Sequence, residues 1–497
     1  MDRTDPAEPS AVKRWTGRGT DASVSSWTLP IVLAGTFMTI LDFFIVNVAL
    51  PDIQHDLHAS GATIQLIVAG YGLTLATGLI TGGRLGDMYG RRRMFVLGLE
   101  LFAATSAGCG LAPTAGVLVA ARLAQGAAAA LLTPQTLAVI NTSFAGPARA
   151  RAFAGYGLTL GAAAVFGQVI GGLLIRADVA GTGWRSVFLV NVPVGLAALL
   201  AARRGVPESR GPQGTGLDVA GAGLITVALA ALVVPLALGR QQGWPGWAEL
   251  SLAASPVLLG VFAAYERRLV RAGGSPVIDV TALSDRAFTA GLAVALTFCL
   301  GQASFFLALS LYLQQGRGMT PLGSGLMTAV VGAGFFAALV SGQVLARSWG
   351  RQALAAGAAE VALGYLVLSV AVRHVGVAGS LWWLVPGLLV AGFGMGLVLS
   401  PIAETVLARV HPEHAASASG VLNTALQVGG AIGVAAVGSV YLSRAGTAGA
   451  SNGLAFQASL EVMALCAASA ALVVQAIPPR PAPAPPASVL EMHTASV

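Results

Sequence analysis

The sequence predicts an all-α membrane protein, and three features carry that expectation. The first is a shortage of charge. Of 497 residues, 55% are hydrophobic and 10% charged, with a mean hydropathy of +0.76. Soluble domains carry roughly 25% charged residues, so this chain cannot cover a core of its size with a hydrated skin. The second is a series of apolar runs of about 20 residues, the length that crosses a hydrocarbon layer. Fourteen lie near 28–49, 63–83, 94–112, 115–138, 153–174, 184–202, 217–239, 247–265, 288–312, 321–345, 352–372, 381–404, 415–441 and 455–476. The third is the placement of the net charge of +7. With both termini cytosolic, alternate connections hold twenty-one basic residues on one side and six on the other. That positive-inside asymmetry fixes the expected orientation and accounts for the basic excess without nucleic acid.

Along the chain, residues 1–27 are polar and aperiodic, which predicts a disordered cytosolic tail with no cleavable signal segment. Residues 28–205 hold the first six spans. Residues 206–266 form a polar connection and two further spans free of buried charge, expected as an inserted pair. Residues 267–477 hold six more spans, and 478–497 begin PPRPAPAPPA, an extended tail with no drive to pack.

Cys109, Cys299 and Cys466 are odd in number and lie within apolar runs, so they predict no disulfide framework. The pairs His55/His58 and His411/His414 lack a Cys or third His nearby and read as loop histidines, with no metal site. No cofactor is expected. Neither a Ser/His/Asp set nor a phosphate loop is present, which argues against an enzyme, and neither tail offers the folded domain of a sensor.

The two six-span sets repeat. Gly82, Leu85, Gly90 and Arg91 match Gly342, Leu345, Gly350 and Arg351 at a constant offset of 260, which also takes Asp42 to Gln302. Parallel halves around a central path are a transporter layout.

Within the run from Trp27 to Leu50, Asp42 is the only ionisable residue. Burying a charge at a span centre costs about 2.5–3.5 kcal/mol on insertion scales. Arg122, alone in the fourth run, falls at a comparable depth. Two readings stand: a fixed ion pair pinning two helices, or a carboxylate that exchanges a proton as water access changes. The loop GRLGDMYGRRR (83–93) combines Gly83 and Gly90, which permit close packing or unusual backbone angles, with Asp87, Arg91 and Arg92. In the fifth run Gly157, Gly161, Ala164, Gly171 and Gly172 lie near one helical face and Gly167-x-x-x-Gly171 adds a pair of small residues, which lets helices approach closely in lipid. Phe298, Gln302 and Phe306 in span nine, Gln125 in span four and Glu404 at the end of span twelve are candidates for a cavity lined by apolar bulk and a few polar groups.

Residues 83–93 closely resemble the inter-helix loop signature of the major facilitator superfamily. LDFFIVNVALP (41–51), LVAARLAQGAAAA (118–130), GLTLGAAAVFGQVIGGLL (157–174) and WRSVFLVNVPVG (184–195) resemble signatures of its fourteen-helix drug:proton antiporter branch. One departure is Gln168, where that branch often has proline. The resemblance implies a major facilitator fold of two six-helix bundles plus two inserted helices. It also implies export of hydrophobic or amphipathic drugs in exchange for protons, with Asp42 and Arg122 coupling the proton. The loop at 83–93 would be a cytosolic latch between the halves, and the protein a functional monomer in the bacterial cell membrane. Proton-coupled uptake of a small metabolite shares most of these motifs; the antiporter-like fifth span argues against it.

Overall fold

The computed structural model describes residues 26–210, 218–239, 242–274, 276–277, 285–399, 401–407, 415–445 and 449–477. Both expected tails, apart from Ser26 and Trp27, and the pair His411/His414 lie outside these residues. No strand occurs among the described residues.

Among the described residues fourteen long helices follow one another: α1 Thr28–Asp56, α2 Gly61–Tyr89, α3 Arg91–Gly110, α4 Ala115–Ser143, α5 Gly146–Ala177 and α6 Asn191–Gly205; then α7 Val219–Leu238 and α8 Gly246–Arg271; then α9 Arg286–Leu311, α10 Pro321–Trp349, α11 Arg351–Val375, α12 Val385–Leu399, α13 Ala415–Arg444 and α14 Gly449–Val473. Thirteen have the length and apolar composition to cross a membrane, α6 and α12 together with the short turns that lead into them. The exception, α3, opens on Arg91–Arg93 and contains Glu100, yet it lies against α4 and α6 like its neighbours. Most helices outrun the apolar stretches that announced them, and side-chain caps hold the first turn of some. Ser60 Oγ accepts from the Thr63 amide at the start of α2, and Asp285 does the same for Ala287 before α9. Helix α8 likewise runs past residue 266 to Arg271.

Helices α1–α6 form one bundle and α9–α14 another. The expected inserted pair, α7 and α8, is a hairpin whose first helix lies against α2 and α13, bridging the bundles. Ser439 Oγ on α13 donates to the Leu236 carbonyl at 2.8 Å. Exposed Trp27 and Trp349 mark the arginine-rich end of the molecule; Trp244, Trp247, Trp382 and Trp383 mark the opposite end, as amphipathic rings do at membrane interfaces.

The internal repeat is physical. Gly90 (φ +108°) and Gly350 (φ +53°) each turn the chain with a positive φ, and an arginine opens the next helix in each case. Each loop then clasps the chain leaving the last helix of its own bundle. The Arg91 amide donates to the Ser209 carbonyl at 2.9 Å, and the Arg351 side chain donates to the carbonyls of Gln475 and Ile477.

Prolines inside the helices release backbone acceptors, since proline has no N–H to return to the carbonyl four residues earlier. Pro235 frees the Ala231 carbonyl, which takes the Ser251 hydroxyl at 3.0 Å and joins α7 to α8. Pro51 frees the Asn47 carbonyl, which takes the Ser310 hydroxyl of α9 at 2.6 Å. That bond crosses between bundles, as do Gln314 to the Val48 carbonyl (3.0 Å) and Gln315 to Gln54 (2.8 Å). All lie toward the end opposite the arginines.

Close packing follows the same polarity. A Cβ at Gly172 of α5 would lie 2.5 Å from the Leu322 Cα, and one at Gly325 of α10 would lie 2.4 Å from the Gln168 carbonyl oxygen. Gly161 meets the Phe335 ring. Gly167 and Gly171 instead face α1, at Leu41–Ile45 and Ile45–Val48, so the expected single surface of small residues serves two contacts. Gly157, nearer the arginine-rich end, has nothing within 4 Å. Gly172→Leu is therefore expected to abolish cycling at normal protein amounts, Gly161→Leu to impair it less because a ring can move, and Gly157→Leu to be tolerated. Uphill cargo transport with membrane expression controlled is the measurement; equal effects at all three positions contradict this packing.

Candidate functional site

Helix α1 carries Asp42 at its middle, on a face turned into its own bundle. Asp42 and Arg122 of α4 are each fully buried and form an ion pair between Asp42 Oδ2 and Arg122 Nη1. The other carboxylate oxygen, Oδ1, accepts from Gln125 Nε2 at 3.0 Å and from Asn191 Nδ2 of α6 at 2.7 Å. Ser106 Oγ of α3 accepts from both amides, at 3.0 Å each, and donates to the Phe188 carbonyl at 2.9 Å. Four helices thus converge on one carboxylate.

Arg122 is held on every side but one. Its Nε donates to the Ile67 carbonyl of α2 at 3.1 Å, its Nη1 also reaches Gln125 Oε1 at 2.8 Å, and its guanidinium stands 4.3 Å over the Tyr71 ring. Arg122 Nη2 has no partner among the described residues. The consequence for charge is direct. Arg122 keeps a carbonyl, an amide oxygen and an aromatic face even without Asp42, whereas among the described residues Asp42 has its cationic contact from Arg122 alone.

The same helix ties down its far end. Asp56 accepts from Trp184 Nε1 at 2.9 Å and from Arg185 Nη1 at 2.7 Å, which fixes the WRSVF segment leading into α6 and so places Asn191. Glu100 pairs with Arg203 at 2.7 Å across α3 and α6, a helix-pair contact on the exposed side.

Of the residues singled out in the sequence, Gln125 joins this network instead of lining a cavity, spending both ends of its amide on Asp42, Ser106 and Arg122. Phe298 and Phe306 are buried on α9 in the second bundle. Phe306 meets Phe44 of α1 edge-on, with centroids 5.1 Å apart. Gln302 is half-buried, with the Cys299 thiol 3.9 Å from its Oε1. Glu404 lies on the short helix Ile402–Leu407, and its side chain is outside what is described. Asp87 binds Arg91 within its own loop, through Nε at 3.2 Å and Nη2 at 2.9 Å. Arg92 turns to Glu208, its amide donating at 3.1 Å; Gly90 abuts the same carboxylate, and Gly83 makes only ordinary contact with Pro134. The loop's described partners all belong to the first bundle and the segment leaving it. Ser106, Tyr71, Asn191 and Glu208 were not anticipated. Asn191 had a legible signal, a lone amide in an apolar run, while Ser106 and Tyr71 had none. No group of three or more His, Cys, Asp or Glu capable of holding a metal occurs among the described residues.

This architecture has known counterparts. A POT family transporter solved with 5-aminolevulinic acid superposes with a TM-score of 0.65 over 90% of this chain and 95% of that one, at 16% identity, a likeness of fold. The "Probable actinorhodin transporter" of Streptomyces coelicolor is 40% identical over 456 residues, covering 89% of this chain and 78% of that protein. The tetracenomycin C resistance and export protein of Streptomyces glaucescens is 34% identical over 424 residues, covering 84% and 76% respectively. The family profile of the Major Facilitator Superfamily matches residues 32–434. With two six-helix bundles, an intervening hairpin and these relatives, the chain belongs to the Major Facilitator Superfamily.

Proposed function

We propose that this protein exports hydrophobic or amphipathic antibiotics across a bacterial cell membrane in exchange for protons, with both termini and the arginine-rich end in the cytosol. The observation that carries the reading is the buried Asp42–Arg122 pair, with four helices meeting at a carboxylate in the middle of a span. Export as the direction is supported by the printed names of the relatives, actinorhodin transporter and tetracenomycin C export protein among them. Superfamily and fold are those of transporters, which supports a non-enzymatic role, and a single chain completes the network.

In the conformation described, the bundles are bonded at the end opposite the arginines, so cargo enters from the cytosol. Asp42 is held there as a carboxylate by three donors. Once the outer end has opened, a proton arriving from the outer side neutralises it and removes the charge-assisted bonds from Arg122, Gln125 and Asn191, each stronger than a neutral hydrogen bond. Arg122 stays satisfied by Ile67 and Tyr71, so the energetic change falls on α1. That helix also carries Asn47 and Val48, whose carbonyls bond the second bundle roughly 8–9 Å further along at 1.5 Å per residue. A change in the hold on Asp42 is thereby delivered to the seam between bundles. One charge crossing 100 mV is worth about 2.3 kcal/mol, so tight coupling suffices for useful accumulation.

Asp42→Asn reproduces the neutral side chain with nearly the same shape. It is expected to fold, to bind cargo and allow its downhill movement, and to lose uphill export driven by a pH gradient in proteoliposomes; wild-type uphill rates in Asp42→Asn would make the carboxylate purely structural. Arg122→Ala leaves a buried carboxylate unpaired, a loss of about 3–5 kcal/mol, and should lower the melting temperature of the purified protein more than Arg122→Lys, which keeps the charge without the planar fork. Asp87→Asn should insert and express normally yet export more slowly, because the loop loses its bonds to Arg91; undiminished export would leave the loop a topological role only.

A further inference from the structure

The end of the molecule where the bundles meet contains amides with unmet hydrogen bonds. Gln168 of α5 is fully buried, and neither its Nε2 nor its Oε1 has a partner among the described residues. Its position shares the inward side of α5. Leu158, Phe166 and Leu173 on the other side are exposed, while Gly172 and the Gln168 carbonyl itself abut α10. Across that contact Ser324 of α10 is also fully buried with an unmet hydroxyl. The seam between α2 and α13 repeats the pattern: Gln65 is buried, its Oε1 is unmet, and Gly438 of α13 closes over its amide. A buried amide or hydroxyl without a partner opposes the state that buries it. Against these stands the bond that Pro51 makes available, Ser310 to the Asn47 carbonyl.

We propose that Gln168, Gln65 and Ser324 form an underpaired gate layer, which loosens the closed end of the transporter, and that the Ser310–Asn47 bond is the clasp opposing it. The clasp holds the end shut while cargo loads; the unmet amides lower the cost of opening, because they gain water once the seams part. The two sets of residues position the conformational equilibrium and act with opposite sign. The inference rests on the alternating-access reading given above.

The test is the distance distribution between spin labels at His55→Cys and Ser443→Cys, two exposed sites at this end on α1 and α13. Cys466 is replaced by alanine, and Cys109 and Cys299 are buried. Gln168→Leu and Gln65→Leu are each expected to raise the ratio of closed to open molecules about tenfold, the equivalent of about 1.4 kcal/mol. Ser310→Ala should lower it several-fold. Purified protein in nanodiscs of phosphatidylethanolamine and phosphatidylglycerol needs no identified cargo. Should Gln168→Leu fail to fold, Gln65→Leu and Ser310→Ala carry the test. A wild-type protein with two populations that neither leucine variant shifts, or that they shift toward open, overturns the gate layer alone. A single population in every variant and at every pH overturns it together with the alternating-access reading.

Discussion

A carboxylate buried in a membrane span organises this molecule. Placing Asp42 there is costly, and the cost is offset only if its oxygens find cationic and amide donors. The chain supplies them from three other helices: Arg122 and Gln125 on α4, Asn191 on α6, and Ser106 on α3 to orient both amides. The requirement reaches further than the contacts. The Asp56 clamp on Trp184 and Arg185 fixes the entry to α6, and with it Asn191. The Tyr71 hydroxyl donates to the Thr39 carbonyl at 3.1 Å and holds the ring beneath the guanidinium. The first bundle is assembled around one charge.

Helix α1 makes that charge consequential. One face carries Asp42 inward; another presents Asn47 and Val48 to α9. Pro51 links these roles, since removing one backbone donor turns a carbonyl that would close a helical turn into an acceptor for Ser310. The same device recurs at Pro235, where the freed carbonyl welds the inserted hairpin instead. In lipid a released acceptor must be met nearby, and at Pro51 and Pro235 a serine hydroxyl of another helix meets it.

Much of this was legible in the sequence. Asp42 and Arg122 stood out because an ionisable residue in an apolar run has few structural explanations, and the 260-residue offset foretold two loops that turn alike at Gly90 and Gly350. Neutral polar residues gave a weaker signal. Gln125 read as a cavity residue, because only the register between α1 and α4 aims it at Asp42. Ser106 looked like any small helix-packing residue. The small residues of α5 suggested one packed face, but a helix wedged between α1 and α10 divides them: Gly171 meets α1, Gly172 meets α10, and Gly157 has nothing within 4 Å. Glu208, on the chain leaving the first bundle, occupies Gly90 and Arg92, a contact that no spacing in the sequence announced.

The central claim is that Asp42 exchanges a proton within this network. Infrared difference spectroscopy of the purified protein in nanodiscs, stepped from alkaline to acidic pH, measures it directly. A protonated carboxyl band should grow in the wild-type protein, vanish in Asp42→Asn, and shift in midpoint in Arg122→Lys. If the Asp42→Asn spectrum retains every carboxyl band of the wild type across the whole titration, Asp42 is a permanently charged strut and the proton travels elsewhere.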